Sequence, residues 1–174
     1  MSLPTPELET ERFILRPIQE ADVPAFWPTF SNEDAMRWWS RASFTDRKEL
    51  RDWLLDDSWG GRTWIAEPKD GGTPVCRVVA TLHEEGVSEI GYLTVLGSQG
   101  QGIARECVSA LITHLFENEN NRRIWADVDP DNAASNALLQ RLGFTNEGTM
   151  REAWKTHIGV RDSYIWGLLA REWT

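Results

Sequence analysis

A glycine-rich segment, residues 91–104, contains the residue types that bind phosphate groups. Its apolar first half predicts a strand, Gly100 and Gly102 follow, and a helical pattern begins at Ile103. Because glycine lacks Cβ, the backbone can turn sharply there and bring its N–H groups close to an anion. The first N–H groups of the following helix are unpaired, and the helix dipole favours a negative charge. The segment therefore predicts a phosphate-binding turn between a strand and a helix.

Two common phosphate-binding motifs do not match this segment. A P-loop needs Lys and then Ser or Thr after its last glycine, whereas Ile103, Ala104 and Arg105 follow Gly102 here. A Rossmann turn has G-x-G-x-x-G near the first strand of its fold, whereas this segment lies past the midpoint of the chain. An ordinary glycine turn between a strand and a helix stays open as the alternative for this segment taken alone.

Residues 131–144 predict a helix that carries further polar residues. Asp131 or Asn132 can cap its start, and Gly143 suits the left-handed position just past its end. The helical spacing predicts a buried stripe and a neighbouring face that could line a groove. The stripe consists of Ala134, Leu138 and Leu142, and the groove face consists of Asn132, Ser135 and Leu139.

Residues 90–144 together resemble the GNAT superfamily of acyl-CoA-dependent N-acyltransferases, whose signature Q/R-x-x-G-x-G/A lies between a strand and a helix. Residues 99–104 fit that signature literally, and a second register aligns residues 100–102 with Gly-x-Gly and leaves Gly97 where Gln or Arg is usual. In both registers the resemblance implies that backbone amides hold the pyrophosphate of the co-substrate acetyl-CoA. The implied cofactor-binding residues are Leu93, Val95, Gln99, Gly100, Gln101, Gly102, Ile103, Ala104, Arg105, Asn132 and Ser135.

The pattern Asn-x-x-Ser followed by Gly-Phe resembles one branch of that superfamily, the RimJ/RimL-like N-terminal acetyltransferases of ribosomal proteins and their relatives. Residues 8–17 and 161–169 resemble the opening and closing strands of this branch. Leu139 stands where many members have a Tyr that reprotonates the CoA thiolate, and leucine has no proton to donate. Ser135 can donate one. A small helix residue bonded to its own turn stays the alternative for Ser135, and a plain N-cap for Asn132.

The resemblance implies direct transfer of the acetyl group to a neutral primary amine, with no covalent acyl-enzyme. The candidate general base is Glu89, which shares a strand face with Gly91 and Leu93; some family members have a base here. Four strand residues separate Glu89 from Leu93 by roughly 13 Å, so we expect the proton to pass through water. A solvated carboxylate at the strand end is the alternative. Ser135 is the second candidate catalytic residue.

Tryptophans are concentrated in the region that family members use for the acceptor. The chain has 10, and those that precede the cofactor segment are Trp27, Trp38, Trp39, Trp53, Trp59 and Trp64. An aromatic wall can bind a cation or an apolar side chain, and ordinary core packing is the alternative. The predicted acceptor-binding residues are Trp38, Trp39, Glu89 and Trp154. The expected acceptor is a peptide or protein N-terminal α-amine or a small cationic amine.

Two other functions remain open on the sequence. The same fold can bind acyl-CoA as a non-catalytic sensor or interaction module, and Leu139 in place of Tyr is compatible with that function. A larger acyl group such as succinyl could also be transferred, which would need a cationic residue beside the acyl pocket. Both the enzyme and the sensor bind CoA, but only the enzyme consumes acetyl-CoA when an amine is present.

Composition limits the classes of partner. The 174 residues carry a net charge of −9, which argues against a nucleic-acid surface. No window approaches the ~20 apolar residues of a membrane span and no signal segment is evident, so we expect a cytoplasmic protein. The 3 histidines are far apart and the 2 cysteines are too few for a disulfide framework, so no metal is expected. A homodimer is possible, since dimers are common among the resembling proteins.

The elements that must position these residues follow from the resemblance and from periodicity. One domain, residues 1–174, of the α/β (α+β) class is expected, with a mixed, mostly antiparallel, twisted sheet of about seven strands flanked by about four helices. Helices are predicted near residues 21–29, 46–57, 103–117 and 131–142. Strands are predicted near residues 8–17, 63–67, 75–82, 89–95, 123–128, 144–151 and 161–169.

Overall fold

The chain folds into one β-sheet with helices on both faces. A computed structural model describes residues 3–174. Within them the strands are β1 (Leu8–Glu9), β2 (Phe13–Pro17), β3 (Gly61–Pro68), β4 (Cys76–Glu84), β5 (Val87–Thr94), β6 (Arg123–Val128), β7 (Thr145–Thr156) and β8 (Gly159–Leu169). The α-helices are α1 (Val23–Phe30), α2 (Arg47–Leu55), α3 (Ile103–Glu117) and α4 (Ala133–Arg141).

All eight strands belong to one sheet in the order β1-β2-β3-β4-β5-β6-β8-β7. Every neighbouring pair is antiparallel except β5 and β6, which are parallel and are connected through α3. These two strands pair only at Val87, Ser88 and Glu89, and they separate beyond that point. The predicted mixed, mostly antiparallel sheet is confirmed, and the separation leaves one edge of β5 without a neighbouring strand.

The sheet has eight strands rather than about seven because residues 8–17 form a hairpin. β1 pairs with β2 in antiparallel fashion, with Leu8 opposite Leu15. The turn between them is closed by the N–H of Thr10, which donates to the carbonyl of Phe13 at 2.9 Å, and by the Thr10 side chain. The chain therefore reverses where a single opening strand was expected.

Alternating strand residues contribute to two hydrophobic cores, one on each face of the sheet. The first core lies against α3 and α4 and includes Trp64, Leu111 and Leu168. The second core lies against α1 and α2 and includes Phe30 and Leu93. The predicted stripe of α3 is confirmed, since every fourth residue from Ile103 to Leu115 is buried. No helix within residues 3–174 is long and apolar enough to cross a membrane.

Helix α4 packs differently from the prediction. Of the predicted stripe, Leu142 is buried as expected, whereas Ala134 is exposed and Leu138 is only half-buried; Leu139 is fully buried in the first core. The N–H of Phe144 donates to the Leu139 carbonyl at 3.0 Å and closes the end of the helix, with Gly143 at a φ of 88°. One residue along a helix is a rotation of about 100°, so the core contact falls on position 139. The expected groove position of Leu139 is wrong.

Candidate active site

A cavity of about 570 Å³ opens where β5 and β6 separate. Its floor is formed by β4, β5 and β6, and the start of α4 lies beside it. The tryptophan-rich segments around α2 and the β7–β8 hairpin form the remaining walls. A cavity of this size suits a small ligand or the end of a larger one.

Glu89 lies in this cavity at the last position where β5 pairs with β6. Its side chain is 31% exposed, and its Oε2 atom lies 2.6 Å from Nε2 of His83. Burial raises the pKa of the Glu89 carboxyl, His83 opposes that shift, and the nearby charge of Asp127 adds to it, so that the pKa lies above its usual value. A carboxylate with a raised pKa is a better proton acceptor near neutral pH.

Ser135 forms a hydroxyl pair with Tyr92 across the gap between α4 and β5. The two hydroxyl oxygens lie 2.6 Å apart. The Asn132 side chain caps α4 by accepting the Ser135 N–H at 3.3 Å, which fixes the start of the helix here. Burial raises the pKa of Tyr92 to about 12, so its phenol keeps its proton at neutral pH. The pair can therefore pass a proton into the cavity.

The sequence analysis assigned no role to Tyr92, although this residue lies within residues 90–144, which resemble the GNAT superfamily. It alternates with Gly91 and Leu93 on β5, so its ring points to the face that α4 covers. Only the packing of α4 against that face brings Ser135 to it. The alternation of strand residues indicates the sheet face on which Tyr92 lies, but not its hydrogen bond with Ser135.

The end of β6 brings a set of paired carboxylates into the cavity that the sequence reasoning did not assign. Asp127 Oδ2 accepts the indole N–H of Trp154 at 2.6 Å. Asp129 accepts two hydrogen bonds from Arg161, at 2.7 and 2.8 Å. That pairing outweighs burial and lowers the pKa of Asp129. Asp127 near the end of β6 and Asp129 directly after it were the available signal.

The tryptophans divide between the cavity and the cores. Trp64 is fully buried in the first core, and Trp27 stacks under Arg47. Trp39 packs edge-on against Phe30, with ring centroids 5.6 Å apart. The tryptophans that line the cavity are Trp38, Trp39, Trp53, Trp59 and Trp154. All four predicted acceptor-binding residues, Trp38, Trp39, Glu89 and Trp154, are among the residues that line it.

The glycine-rich turn lies between β5 and α3. Gly97, Gly100 and Gly102 have φ angles of 86°, 76° and 74°, in the left-handed region that favours glycine. Gly102 is the N-cap of α3, and no side chain caps that helix start. The Gln99 side chain accepts the Gly97 N–H at 2.8 Å, which braces the turn. The first amides of α3, at Ile103, Ala104 and Arg105, remain free of capping side chains.

Arg12 holds this turn from the neighbouring hairpin. Its Nη2 atom donates to the carbonyl of Gln101 at 3.1 Å, and its Nε atom donates to Glu106 at 2.7 Å. Glu106 lies in the first turn of α3, so Arg12 connects the turn to the helix that follows. The sequence reasoning assigned no role to Arg12, which is far from the turn along the chain.

The backbone of β5 is already paired on one edge. The Val95 N–H donates to the Val75 carbonyl at 2.9 Å, and Leu93 lies opposite Arg77 on β4 with its side chain in the second core. Because neighbouring amides of a strand alternate between its edges, those of Tyr92 and Thr94 face the open edge.

Among residues 3–174, no group of His, Cys, Asp and Glu is arranged to hold a metal ion.

A protein-family model for the acetyltransferase (GNAT) domain matches residues 12–145. An N-acetyltransferase of Bacillus licheniformis, p20, is 31% identical over 173 residues, which cover 95% of this chain and 97% of that relative. A GNAT-family acetyltransferase structure from Bacillus anthracis superposes with a TM-score of 0.89 and covers 96% of this chain and all of its own, at 21% identity. The protein is an acetyltransferase, and the chain belongs to the GNAT family.

The relatives also include members of the expected RimJ/RimL-like branch. The ribosomal protein uS5-alanine N-acetyltransferase of Escherichia coli is 32% identical over 85 residues, which cover 49% of this chain and 44% of that enzyme. A spermidine N-acetyltransferase from Vibrio cholerae, solved with CoA and spermine, has the same fold: its TM-score is 0.81 at 18% identity, covering 92% of this chain and 97% of its own.

Proposed function

We propose that this protein transfers the acetyl group of acetyl-CoA directly to a primary amine bound in the cavity between β5 and β6. One observation carries the proposal. A carboxylate with a raised pKa, Glu89, and a hydroxyl pair, Tyr92 and Ser135, border the same cavity beside the open edge of β5. These are the proton acceptor and the proton donor that amine acetylation requires.

The co-substrate would span the glycine-rich turn and the open edge of β5. The first amides of α3 suit the pyrophosphate because they lack capping side chains and lie at the positive end of the helix dipole. The pantetheine arm would then pair with the amides of Tyr92 and Thr94. This position replaces the expected pairing with Leu93 and Val95, because the Val95 amide is already bonded to Val75.

The reaction balances with the groups in the cavity. The amine loses a proton to Glu89 through water and attacks the acetyl carbon, so that a C–N bond forms and the C–S bond breaks. The CoA thiolate takes a proton from the Ser135 hydroxyl, which Tyr92 resupplies through its 2.6 Å hydrogen bond. The proton that Glu89 took from the amine then returns to Tyr92 through water, so that both groups are reset. Since Leu139 is buried in the core, its lack of a hydroxyl does not remove the proton donor.

The acidic side chains of the cavity favour an amine that arrives as a cation. Glu89 lies where β5 and β6 separate, Asp127 lies near the end of β6, and tryptophans form the facing wall. A cation gains from both the carboxylates and the aromatic faces. The relative named above as a ribosomal protein uS5-alanine N-acetyltransferase supports a protein or peptide amine as acceptor, and the size of the cavity suits a small amine.

Mass spectrometry of an amine panel tests the proposal. Peptides with free α-amines, polyamines, aminoglycosides and amino acids are incubated with the protein and acetyl-CoA, and we expect an acetyl-sized mass gain in at least one class. Isothermal titration with CoA measures cofactor binding in parallel. CoA binding without a mass gain in any class would contradict the enzyme and favour the acyl-CoA sensor.

We expect Ser135→Ala to lower kcat by about 10- to 100-fold with little change in the affinity for acetyl-CoA, because it removes the group that reprotonates the thiolate. Tyr92→Phe should lower kcat less, since Ser135 keeps its own hydroxyl and can take a proton from water. Steady-state release of the CoA thiol measures both variants. Unchanged turnover in Ser135→Ala would remove this serine from the mechanism.

A further inference from the structure

Arg77 is a buried cation without a carboxylate partner in the cavity. It lies on β4, is 6% exposed, and lines the cavity beside the tryptophans. Its Nη2 atom donates to Thr63 Oγ1 at 3.3 Å, and its buried Nε atom has no hydrogen-bond partner among the described residues. Its guanidinium stacks on Trp53 at 5.1 Å from the ring centroid.

The other buried arginine of the described chain shows how this fold normally satisfies such a group. Arg62 is 7% exposed and donates from both Nη atoms to the two carboxylate oxygens of Glu119. A buried charge is costly unless a partner and hydrogen bonds compensate it. Burial lowers the pKa of Arg77 to about 10, so the group is still charged at neutral pH. The fold therefore keeps an uncompensated positive charge facing the cavity.

The position of Arg77 relative to Glu89 sets the shape of a matching ligand. Arg77 is opposite Leu93 in the register of β4 and β5, and Glu89 is four residues from Leu93 on the same face. Roughly 13 Å therefore separates the two backbone positions along the sheet. That spacing leaves room between the two side chains for a small molecule with an amine at one end and an anion at the other.

We propose that the acceptor is a small amino carboxylate, whose carboxylate binds the guanidinium of Arg77 while its amine is held on the Glu89 side of the cavity. A planar guanidinium binds a carboxylate through two parallel hydrogen bonds, and the two Nη atoms of Arg77 are such a pair of donors, of which only Nη2 has a partner within residues 3–174, Thr63. The surrounding tryptophans exclude water and provide an apolar surface for the remainder of the acceptor. This inference rests on the proposed acetyl transfer and specifies its acceptor.

Matched acid and amide acceptors test the role of Arg77. Leucine is compared with leucinamide, phenylalanine with phenylalaninamide, and 4-aminobutyrate with 4-aminobutyramide, all with acetyl-CoA. We expect kcat/KM to be about 10- to 100-fold higher for the acids, the range for hydrogen bonds to a charged group. The α-amine of an amino-acid amide is the more easily deprotonated, so intrinsic reactivity favours the amide and works against the expected result.

Three variants separate the carboxylate contact from other effects. In Arg77→Leu the acid-to-amide ratio should fall to about one, and in Arg77→Lys it should be intermediate because the charge stays but the planar fork is lost. Arg122→Leu removes an exposed arginine outside the cavity and should keep the wild-type ratio. Arg77→Leu should unfold at the wild-type temperature or above, because it removes an unpaired buried charge. A large fall in that temperature would make Arg77 a structural residue and overturn the proposal.

A binding measurement gives a readout that does not depend on turnover. N-acetyl-leucine should raise the unfolding temperature more than N-acetyl-leucinamide does, and Arg77→Leu should lose the difference. Equal turnover of acids and amides by the wild-type protein would overturn this inference and leave the acetyltransferase function intact, whereas the absence of transfer to any amine would contradict that function instead. An Arg77-dependent preference for succinyl-CoA over acetyl-CoA would place the carboxylate on the donor and overturn the acceptor assignment.

Discussion

Glu89→Gln should lower kcat by about 100-fold or more while the affinity for acetyl-CoA stays close to that of the wild type. A positioned general base contributes typically 10²- to 10⁴-fold, and glutamine keeps the size of the side chain but cannot accept the proton. The predicted binding of acetyl-CoA involves the glycine-rich turn and the open edge of β5, which this substitution leaves in place. Thiol release with a saturating amine gives kcat, and titration with CoA gives the affinity.

Glu85→Gln is the matched control for this variant. Glu85 is an exposed glutamate in the turn between β4 and β5, outside the cavity. The same change of charge there should leave kcat within about twofold of the wild type. If Glu89→Gln and Glu85→Gln had equal turnover, the base would have to be water or another group.

The pH dependence of the reaction follows from the environment of Glu89. Burial raises the pKa of its carboxyl above the usual value, and the hydrogen bond from His83 opposes this. The base works when deprotonated, so kcat should fall as the pH drops through that raised pKa. His83→Ala removes the opposing hydrogen bond, so the acid limb of the pH profile should move to higher pH. A profile measured with one acceptor isolates this shift, because the pKa of the amine is the same for both proteins.

The sequence predicted the parts of this site that depend on local geometry. Glycine at positive φ and a helix start at Ile103 are local requirements, and the structure has both at the predicted positions. The buried stripe of α3 followed from its long, regular apolar spacing. In the shorter α4, Leu142 is buried as predicted, but the core contact one turn earlier falls on Leu139 rather than on Leu138.

The rest of the site depends on contacts that are distant along the chain. The sequence assigned no role to Arg77, because it does not show that β4 brings this residue to the cavity without a carboxylate partner of its own in the described part of the chain. Tyr92 and Ser135 are 43 positions apart and meet only because α4 packs over β5. Asp127 enters the site because β6 separates from β5 after Glu89. These contacts depend on the order of the strands in the sheet and on the packing of α4, which the periodicity of the sequence does not determine.

Glu119→Gln should lower the free energy of unfolding by about 3–5 kcal/mol, the cost of removing one partner of a buried ion pair. Glu119 follows α3 and accepts two hydrogen bonds from Arg62, one of them at 2.8 Å, and its Oε1 atom lies 2.8 Å from His114 Nε2. The side chains of Arg62 and Glu119 are only 6% and 14% exposed. Glutamine leaves the guanidinium charge uncompensated in the protein interior.

The pH dependence of this loss of stability tests the ion pair more specifically than its size does. Burial raises the pKa of Glu119, but Arg62 and His114 outweigh it, so the pKa lies below the usual 4.5. A carboxylate with a lowered pKa contributes stability above its unfolded-state pKa and loses it as the pH falls through the folded-state value. The gap in unfolding free energy between the wild type and Glu119→Gln should therefore narrow below about pH 4.5.

Urea unfolding at several pH values measures that gap, with Glu117→Gln as the control. Glu117 is exposed, two residues away, and loses the same charge on substitution. That control should differ from the wild type by about 0.5 kcal/mol or less at every pH. Because the Arg62–Glu119 pair lies outside the cavity, acetyl transfer by folded Glu119→Gln protein at low temperature should match the wild type. A loss in unfolding free energy no larger than that of the control would show that Arg62 finds another partner or water when Glu119 is removed.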